Sequence, residues 1–364
     1  MNVCHITSVH PSDDIRIFIK QCSTLVTKGA RVTLLANHSK DEIVNGVNIK
    51  ALRRSSAISR VFINLPIILL FTLKNKFDIY HAHDPELIPI LFILRLFGRR
   101  VIYDMHENFS KQLKSKNISN NLKLVIGAIW PSIEYITLKK IGVVFAETSY
   151  KKDYSYIKNH VDVLNMPLVE TLKNLKTDKH DRFTIGYVGG VTEDRYCIKI
   201  LETLLRLQKN GIDIGFECVG SIPNKSTKLK VDSLIPKLSN VNFYGILPPG
   251  DAWKKIIKCH VGIAVLMPKP NYIESYPTKL FEYLAMGMPV ITSNFELYKP
   301  VVLTKNVGFC IDPLRDEEFE SAICELYDNK KLFDEMSVNT SKVFNECYDW
   351  NNELKKLTSF YNAF

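Results

Sequence analysis

The 364-residue chain has no apolar run near the ~20 residues a membrane-spanning helix needs. Its longest such stretch, about Val61 to Leu73, is interrupted by Asn64 and Pro66, so no integral membrane segment is expected. Eight cysteines include no Cys-x-x-Cys pair, and several sit in strand-like apolar runs, which reads as buried, reduced thiols. Neither G-x-G-x-x-G nor G-x-x-x-x-G-K-[ST] occurs, so dinucleotide and P-loop sites lack their fingerprints. There is no Asp-x-Asp, consistent with chemistry that needs no metal, and no cofactor is expected. No helix-turn-helix, zinc-finger or RNP pattern supports nucleic acid as a partner. The opening MNVCHITSV lacks a basic segment followed by an apolar one, and reads as a short strand, not a signal peptide.

What is present is ordinary globular composition, 46% hydrophobic and 24% charged, in a chain long enough for two domains. The net charge of +10 is unevenly placed. Residues 1–165 hold 23 Lys and Arg against 13 Asp and Glu, whereas the remainder holds 25 of each. The excess lies beside apolar stretches: Arg53, Arg54 and Arg60 before the 61–73 run, Lys74 and Lys76 after it. Arg95, Arg99 and Arg100 follow LIPILFILRLFG, and Lys111, Lys114, Lys116 and Lys123 come later. Apolar residues interleaved with Lys and Arg suit an anionic membrane surface. A merely solvated basic face fits the same residues.

Short apolar strands alternate with amphipathic helices. NVCHITSV, RVTLLAN, FDIYHAHD, VIYDMHE and VVFAETS read as strands, with helices over about Ile15–Lys28 and LIPILFILRLF and stops at Gly29, Gly98 and Gly142. The polar stretch 166–182 reads as a linker. The pattern restarts with FTIGYVGGV, IGFECVGS, NVNFYGIL, VGIAVLM, PVITSN and GFCID as strands, then ends in helices. This predicts an α/β chain of two Rossmann-like, doubly wound domains, 1–165 and 183–345, whose sheets face one another across a cleft. Residues 346–364 form a last helix.

Ligands in such sheets sit at the carboxyl ends of the strands. Gly189 and Gly190 end the strand TIGYV, where backbone could approach a ligand, although a tight turn explains them equally. Arg195 follows and can reach a phosphate bidentately. In ESYPTKLFEYLAMGMPVI, Pro277 starts a short helix at its first position and Gly287 ends it. The N–H groups of Thr278 and Lys279, the helix dipole and the Lys279 charge together suit a diphosphate. Glu282 either pairs with Lys279 at i,i+3 or accepts hydrogen bonds from two sugar hydroxyls.

This segment resembles the E-x7-E region of retaining GT-B glycosyltransferases of family 4, with Glu274 and Glu282 at the two glutamate positions and EYLAMGMPVI as the usual continuation. SVHPSDDIRIF (8–18), YHAHDPELIP (80–89), VIYDMHEN (101–108) and YVGGVTEDR (187–195) also resemble segments of bacterial polysaccharide-type members, so the likeness covers nearly the whole chain. It implies a retaining transfer of a hexosyl or N-acetylhexosaminyl group from a nucleotide-diphosphate sugar to a lipid-linked or oligosaccharide acceptor. It also implies a cytoplasmic protein held peripherally on the inner face of the plasma membrane.

Residue by residue, it implies that Glu282 holds the ribose, Glu274 contacts the donor sugar, and Arg195 stands where a diphosphate-binding lysine is usual. Gly245 and Ile246 fall near the base, and His106 reaches the donor sugar. His10, Asp13 and Arg16, with His81, His83 and Asp84, fall on the acceptor side; His81 and His83 could instead be strand-end histidines satisfied by backbone, and Asp13 and Asp14 could instead cap the helix at Ile15. The last helix, Trp350–Phe364, crosses back onto the first domain. Two positions depart from the family pattern: Gly190 replaces an arginine of the phosphate loop, and Tyr276-Pro277 replaces a Phe-Gly pair whose N–H groups meet the diphosphate. Lys279 and Arg195 are expected to restore the lost charge. A GT-B nucleotide-sugar epimerase and a non-catalytic membrane-surface nucleotide-sugar binder remain as alternatives.

Overall fold

The computed structural model describes residues 1–53, 56, 59–106, 108–109, 120–168 and 177–364, with side chains of 120–126 excepted. Arg54, Lys111, Lys114 and Lys116, and 169–176 of the expected linker, lie outside the described residues, as does the Lys123 side chain. The chain divides into two compact units, Met1–Asn165 with Trp350–Phe364, and Met166–Asp349. Each is built on one sheet, so the α/β class and the two doubly wound domains are both present.

In the first unit the strands are β1 (Asn2–Pro11), β2 (Arg31–Asn37), β3 (Glu42–Val44), β4 (Val47–Leu52), β5 (Ile79–Ala82), β6 (Val101–Met105), β7 (Gly142–Phe145) and β8 (His160–Asp162). Their order is β3-β4-β2-β1-β5-β6-β7-β8, parallel except for the β3–β4 edge pair. The chain winds outward from β1 in one direction and from β5 in the other, so the β1/β5 boundary is the switch point. Near-continuous apolar strands fit a sheet covered on both faces. Cys4, Ile6, Tyr80, Ala82, Val101, Tyr103, Val143 and Phe145 form its core with Ile88, Leu91 and Leu94 of α1 (Ile88–Leu96).

Three details differ from the sequence expectations. The first helix takes π winding over Ile15–Ser23 before an α turn at Thr24–Thr27, and Asp14 caps it by accepting from the Ile17 N–H at 2.8 Å. Strands β3, β4 and β8 were not expected; β3 and β8 are edge strands of 3 residues each, and β4, one in from the edge, is only half-buried. Gly142 is no helix stop. It begins β7, and a Cβ there would lie 3.1 Å from Ile102 and from the Phe360 ring.

The last helix, α2 (Trp350–Ala363), belongs to the first unit. Trp350 and Tyr361 are fully buried. The Trp350 Nε1–H donates to Thr24 Oγ1 at 3.1 Å, and the Glu353 carboxylate accepts from the Leu164 N–H at 2.8 Å.

The second unit's strands are β9 (Thr184–Val188), β10 (Gly215–Val219), β11 (Val241–Phe243), β12 (Val261–Ala264), β13 (Val290–Ser293) and β14 (Gly308–Ile311). All are parallel, in the order β11-β10-β9-β12-β13-β14, with the switch point between β9 and β12. β11 stops before the expected YGIL because Gly245 takes φ +67°, and its carbonyl instead accepts from the Gly220 N–H at 2.8 Å. The eight cysteines are free thiols; five are buried, Cys310 and Cys324 are half-buried, and Cys347 is exposed, contrary to the uniform burial expected.

Candidate functional site

At the β9/β12 switch point lies a pocket of about 320 Å³. Val188 and Gly189 enter from the end of β9, Leu266 from the end of β12, and Arg195 from the turn after Gly190. Tyr276, Pro277, Thr278, Lys279 and Glu282 close it from the helix α3 (Thr278–Ala285) and the residues before it. Glycine is required at this edge. Gly189 has φ +132°, and a Cβ there would stand 2.9 Å from Arg195 Nη1, so the guanidinium occupies the space a side chain would take. Gly220 carries φ +152°, and its Cβ would stand 1.8 Å from the Gly189 carbonyl oxygen.

Pro277 is the N-cap of α3, not its first helical residue: its ψ of 119° is extended. The Thr278 and Lys279 N–H groups precede any intrahelical acceptor, while the Leu280 N–H donates to the Pro277 carbonyl at 2.9 Å. The proline therefore removes no donor from the first turn of α3. Gly287, at φ +72°, follows the last turn as expected.

Lys279 is buried, and its Nζ has no hydrogen-bond partner among the described residues. It lies 3.8 Å from the centroid of the Tyr187 ring. Burial lowers its pKa to about 7; Arg195 adds to that shift, and Cys197, Cys218 and Glu282 oppose it. A buried ammonium without a counterion is costly, and an anion in the pocket removes the cost.

Three tyrosines not singled out from sequence hold this edge together. The Tyr187 hydroxyl donates to the Gly190 carbonyl at 2.8 Å, and Tyr283 Oη accepts from the Val188 N–H at 3.0 Å. The Tyr298 hydroxyl lies 3.0 Å from the Tyr272 carbonyl and 2.9 Å from that of Ser275, bracing the segment before α3. Gly262 accommodates Tyr283, for a Cβ there would meet its ring at 2.2 Å.

The expected donor residues divide accordingly. Gly189, Arg195, Tyr276, Pro277, Thr278, Lys279 and Glu282 line one pocket. Gly190 lies just beside it. Glu274 is exposed at the end of the short helix Pro270–Ile273 and does not line it. Ile246 is 79% exposed, one residue beyond Gly245 at the end of β11.

In the first unit, the expected histidines gather at the β1/β5 switch point around a residue not singled out from sequence, Asp104 on β6. Asp104 is fully buried and accepts from Arg16 through both oxygens, at 3.2 and 2.8 Å, and from Gln21 Nε2 at 2.6 Å. Burial alone would raise its pKa, but Arg16 and the neighbouring histidines hold it well below the usual carboxylate range. Arg16 is thus buried and committed to Asp104 and to the Val163 carbonyl, at 2.9 Å, rather than facing an acceptor.

His81, His83 and Asp84 are buried too. Asp84 Oδ2 accepts from Thr7 Oγ1 and from the Ser8 and Val9 N–H groups, which fixes the end of β1. His81 Nδ1 meets the Tyr361 hydroxyl at 2.5 Å, and burial lowers the pKa values of His5, His81 and His83 below the ordinary histidine value. Of the acceptor-side expectations, His81, His83 and Asp84 are thus buried and engaged with partners inside the first unit. His10, Asp13 and His106 keep solvent-accessible surface, with His10 lying 3.3 Å from Asp14 and 3.4 Å from Asp84.

Comparison with known proteins bears on both units. Residues 169–343 match the family described as Glycosyl transferases group 1. No curated protein sequence matches the chain. A glycosyltransferase from Rickettsia africae matches in structure with TM-score 0.76 at 14% identity, covering 100% of this chain and 98% of its own. Sucrose-phosphate synthase from Thermosynechococcus elongatus gives 0.73 at 13%, covering 100% and 98%. HepE from Anabaena, solved with UDP-glucose, gives 0.73 at 10%, covering 100% of both chains. The fold is shared with these proteins, and residues 169–343 match the glycosyl transferases group 1 family.

Proposed function

We propose that the protein is a retaining glycosyltransferase of the family 4 type. In this reading it moves a hexosyl or N-acetylhexosaminyl group from a nucleotide-diphosphate sugar to a hydroxyl of a lipid-linked glycan in surface polysaccharide synthesis. The observation that carries this reading is Lys279: a buried, unpartnered ammonium at a helix N-terminus, beside Arg195 and Gly189, at a sheet switch point. That arrangement suits a phosphate-bearing anion such as a diphosphate. HepE, of the same fold, binds UDP-glucose, which makes UDP-sugars the first donors to test.

In this reading the diphosphate lies over the first turn of α3. Lys279, Arg195 and the Thr278 and Lys279 N–H groups stabilise the charge that grows on it as the glycosidic bond breaks. Glu282 holds the ribose, and Glu274 meets the sugar from the loop before α3. Gly245 and Ile246 border the base. The acceptor hydroxyl attacks from the face the leaving group departs, within a short-lived ion pair, which retains the anomeric configuration. His10, Asp13 and His106 are the acceptor-side and sugar-side groups of the first unit.

Membrane association is the second part of the proposal. No helix among the described residues is long and apolar enough to cross a membrane. The first unit instead exposes Phe62, Ile67 and Leu70 around the helix Leu65–Lys74, and Leu96 and Phe97 at the end of α1. Arg60, Lys74, Lys76, Arg95 and Arg99 accompany them. This mixture suits an anionic cytoplasmic leaflet.

The test is incubation of the full chain with UDP-, GDP- and ADP-sugars and a lipid-diphosphate-linked acceptor, followed by product analysis. Transfer with retained configuration supports the proposal. Isomerised donor without transfer supports an epimerase, and neither reaction with intact donor binding supports a non-catalytic binder.

A further inference from the structure

The first unit holds three ligating atoms in mutual contact. His83 Nδ1 lies 3.1 Å from His106 Nε2 and 3.4 Å from Asp104 Oδ2, and His106 Nε2 lies 3.1 Å from the same Oδ2. These are the same three atoms in each pair, so they form a nearly equilateral triangle. An ion bonded at ~2.0–2.1 Å to nitrogen and oxygen, as zinc is, spaces its tetrahedral ligands by roughly 3.3 Å.

Hydrogen bonding alone accounts poorly for the triangle. A carboxylate oxygen offers about two lone-pair sites. Asp104 Oδ2 already takes Gln21 Nε2 at 2.6 Å and Arg16 Nε at 3.2 Å. Adding both imidazole N–H groups puts four donors on one atom. If one ring nitrogen is unprotonated it can accept from the other, but its lone pair also faces the carboxylate oxygen at 3.1–3.4 Å. A cation at the centre of the triangle takes the place of both imidazole N–H groups, leaving three partners on Oδ2 instead of four, and gives both ring lone pairs a partner.

The surroundings have the form of a second layer of support. His83 Nε2 contacts His5 Nδ1 at 2.9 Å, and donation from Nε2 to His5 would leave His83 Nδ1 for an ion. Arg16 and Gln21 orient the carboxylate. His81 Nε2, buried and without a hydrogen-bond partner among the described residues, lies 4.0 Å from Asp104 Oδ2. His106 keeps part of its surface exposed, so an ion could enter from that side.

We propose that His83 Nδ1, Asp104 Oδ2 and His106 Nε2 bind a divalent transition-metal ion of the zinc class, at the carboxyl ends of β5 and β6. Two imidazoles and one carboxylate suit Zn²⁺ and its neighbours, not Ca²⁺ or Mg²⁺, and three protein ligands leave a position open. Ligation through Nε2 leaves Nδ1 as the remaining hydrogen-bonding atom of the His106 ring. The site lies in the first unit and is separate in chemistry from the anion pocket of the second.

The full chain, prepared without a histidine tag and stripped with chelator, is titrated with ZnCl₂ by calorimetry and with CoCl₂ by visible absorption. The expected result is one saturable equivalent of each ion, with cobalt d–d bands of a low-coordinate nitrogen and oxygen site. His106→Gln and His83→Gln should each abolish that equivalent. His106→Gln, at the more exposed position, decides the matter if His83→Gln fails to fold by circular dichroism. Absence of stoichiometric binding in the wild type, or binding unchanged in a folded His106→Gln protein, overturns the proposal.

Discussion

Lys279 Nζ stands 3.8 Å above the Tyr187 ring centroid, buried, with no hydrogen-bond partner among the described residues. A cation–π contact of this kind offsets only part of the cost of burying an ammonium, on the order of 1–2 kcal/mol. The remainder is stored in the free protein and released when an anion arrives.

That storage gives donor binding a pH dependence. In the free protein Lys279 titrates near pH 7, against 10.5 for an ordinary lysine. A bound diphosphate favours the ammonium and raises the value again. Between pH 7 and the raised value the complex therefore holds one more proton than the free protein, and affinity falls as pH rises, by at most about tenfold per unit. Below pH 7 this dependence vanishes. The same lysine acts in the opposite sense on folding: between pH 7 and 10.5 the unfolded chain binds the extra proton, so this group's contribution to stability improves with pH. Calorimetric titration of a UDP-sugar from pH 6 to 9, in buffers of differing ionisation enthalpy, reads the proton directly; no net proton uptake at pH 8 would contradict it.

Gly262→Ala places a Cβ 2.2 Å from the Tyr283 ring. Overpacking of this kind costs about 1–3 kcal/mol. Displacing Tyr283 also releases the Val188 N–H at the edge of the anion pocket. A lower urea midpoint together with weaker donor binding is expected. Weakened stability with donor affinity unchanged would separate Tyr283 from the pocket.

Removal of α2, by ending the chain after Tyr348, takes away Trp350, Leu354, Leu357 and Tyr361, all buried in the first unit. Each is worth roughly 1.5–3 kcal/mol of burial, and their sum approaches the whole stability of a typical domain. Loss of the cooperative thermal transition of the first unit is expected. A truncated protein of wild-type stability and activity would refute the placement of this helix.

Binding to vesicles should require anionic lipid. Co-sedimentation with vesicles rich in phosphatidylglycerol is expected, declining with salt, and Phe62→Ser with Leu70→Ser should weaken it. Equal binding to neutral vesicles would remove the electrostatic part of the proposal.

The sequence pattern made the two sheets legible because strands covered on both faces read as apolar runs, such as Thr184–Val188 and Val261–Ala264. It missed the short edge strands β3 and β8, and β4 beside β3, whose residues are half-exposed. Of the anion pocket, Gly189, Arg195, Lys279 and Glu282 were visible from their positions at strand and helix ends. Tyr187, Tyr283 and Gly262 were not, because a tyrosine inside an apolar strand or helix looks like core until its hydroxyl partner is known. Asp104 was hidden for a similar reason: it lies mid-strand in VIYDM, and only folding brings it to Arg16, 88 residues earlier in the chain. The same contacts bury Arg16, His81, His83 and Asp84 among protein partners, which sequence position alone did not show.

The most direct test of the donor site is the affinity of UDP-, GDP- and ADP-sugars for the wild type and for Lys279→Met, measured at pH 7. One donor should bind the wild type with 1:1 stoichiometry. The substitution should weaken it by about 10- to 100-fold, as loss of a charged hydrogen bond does, while the folded structure persists. Equal affinity in the two proteins, or no binding of any donor to the wild type, would contradict the account.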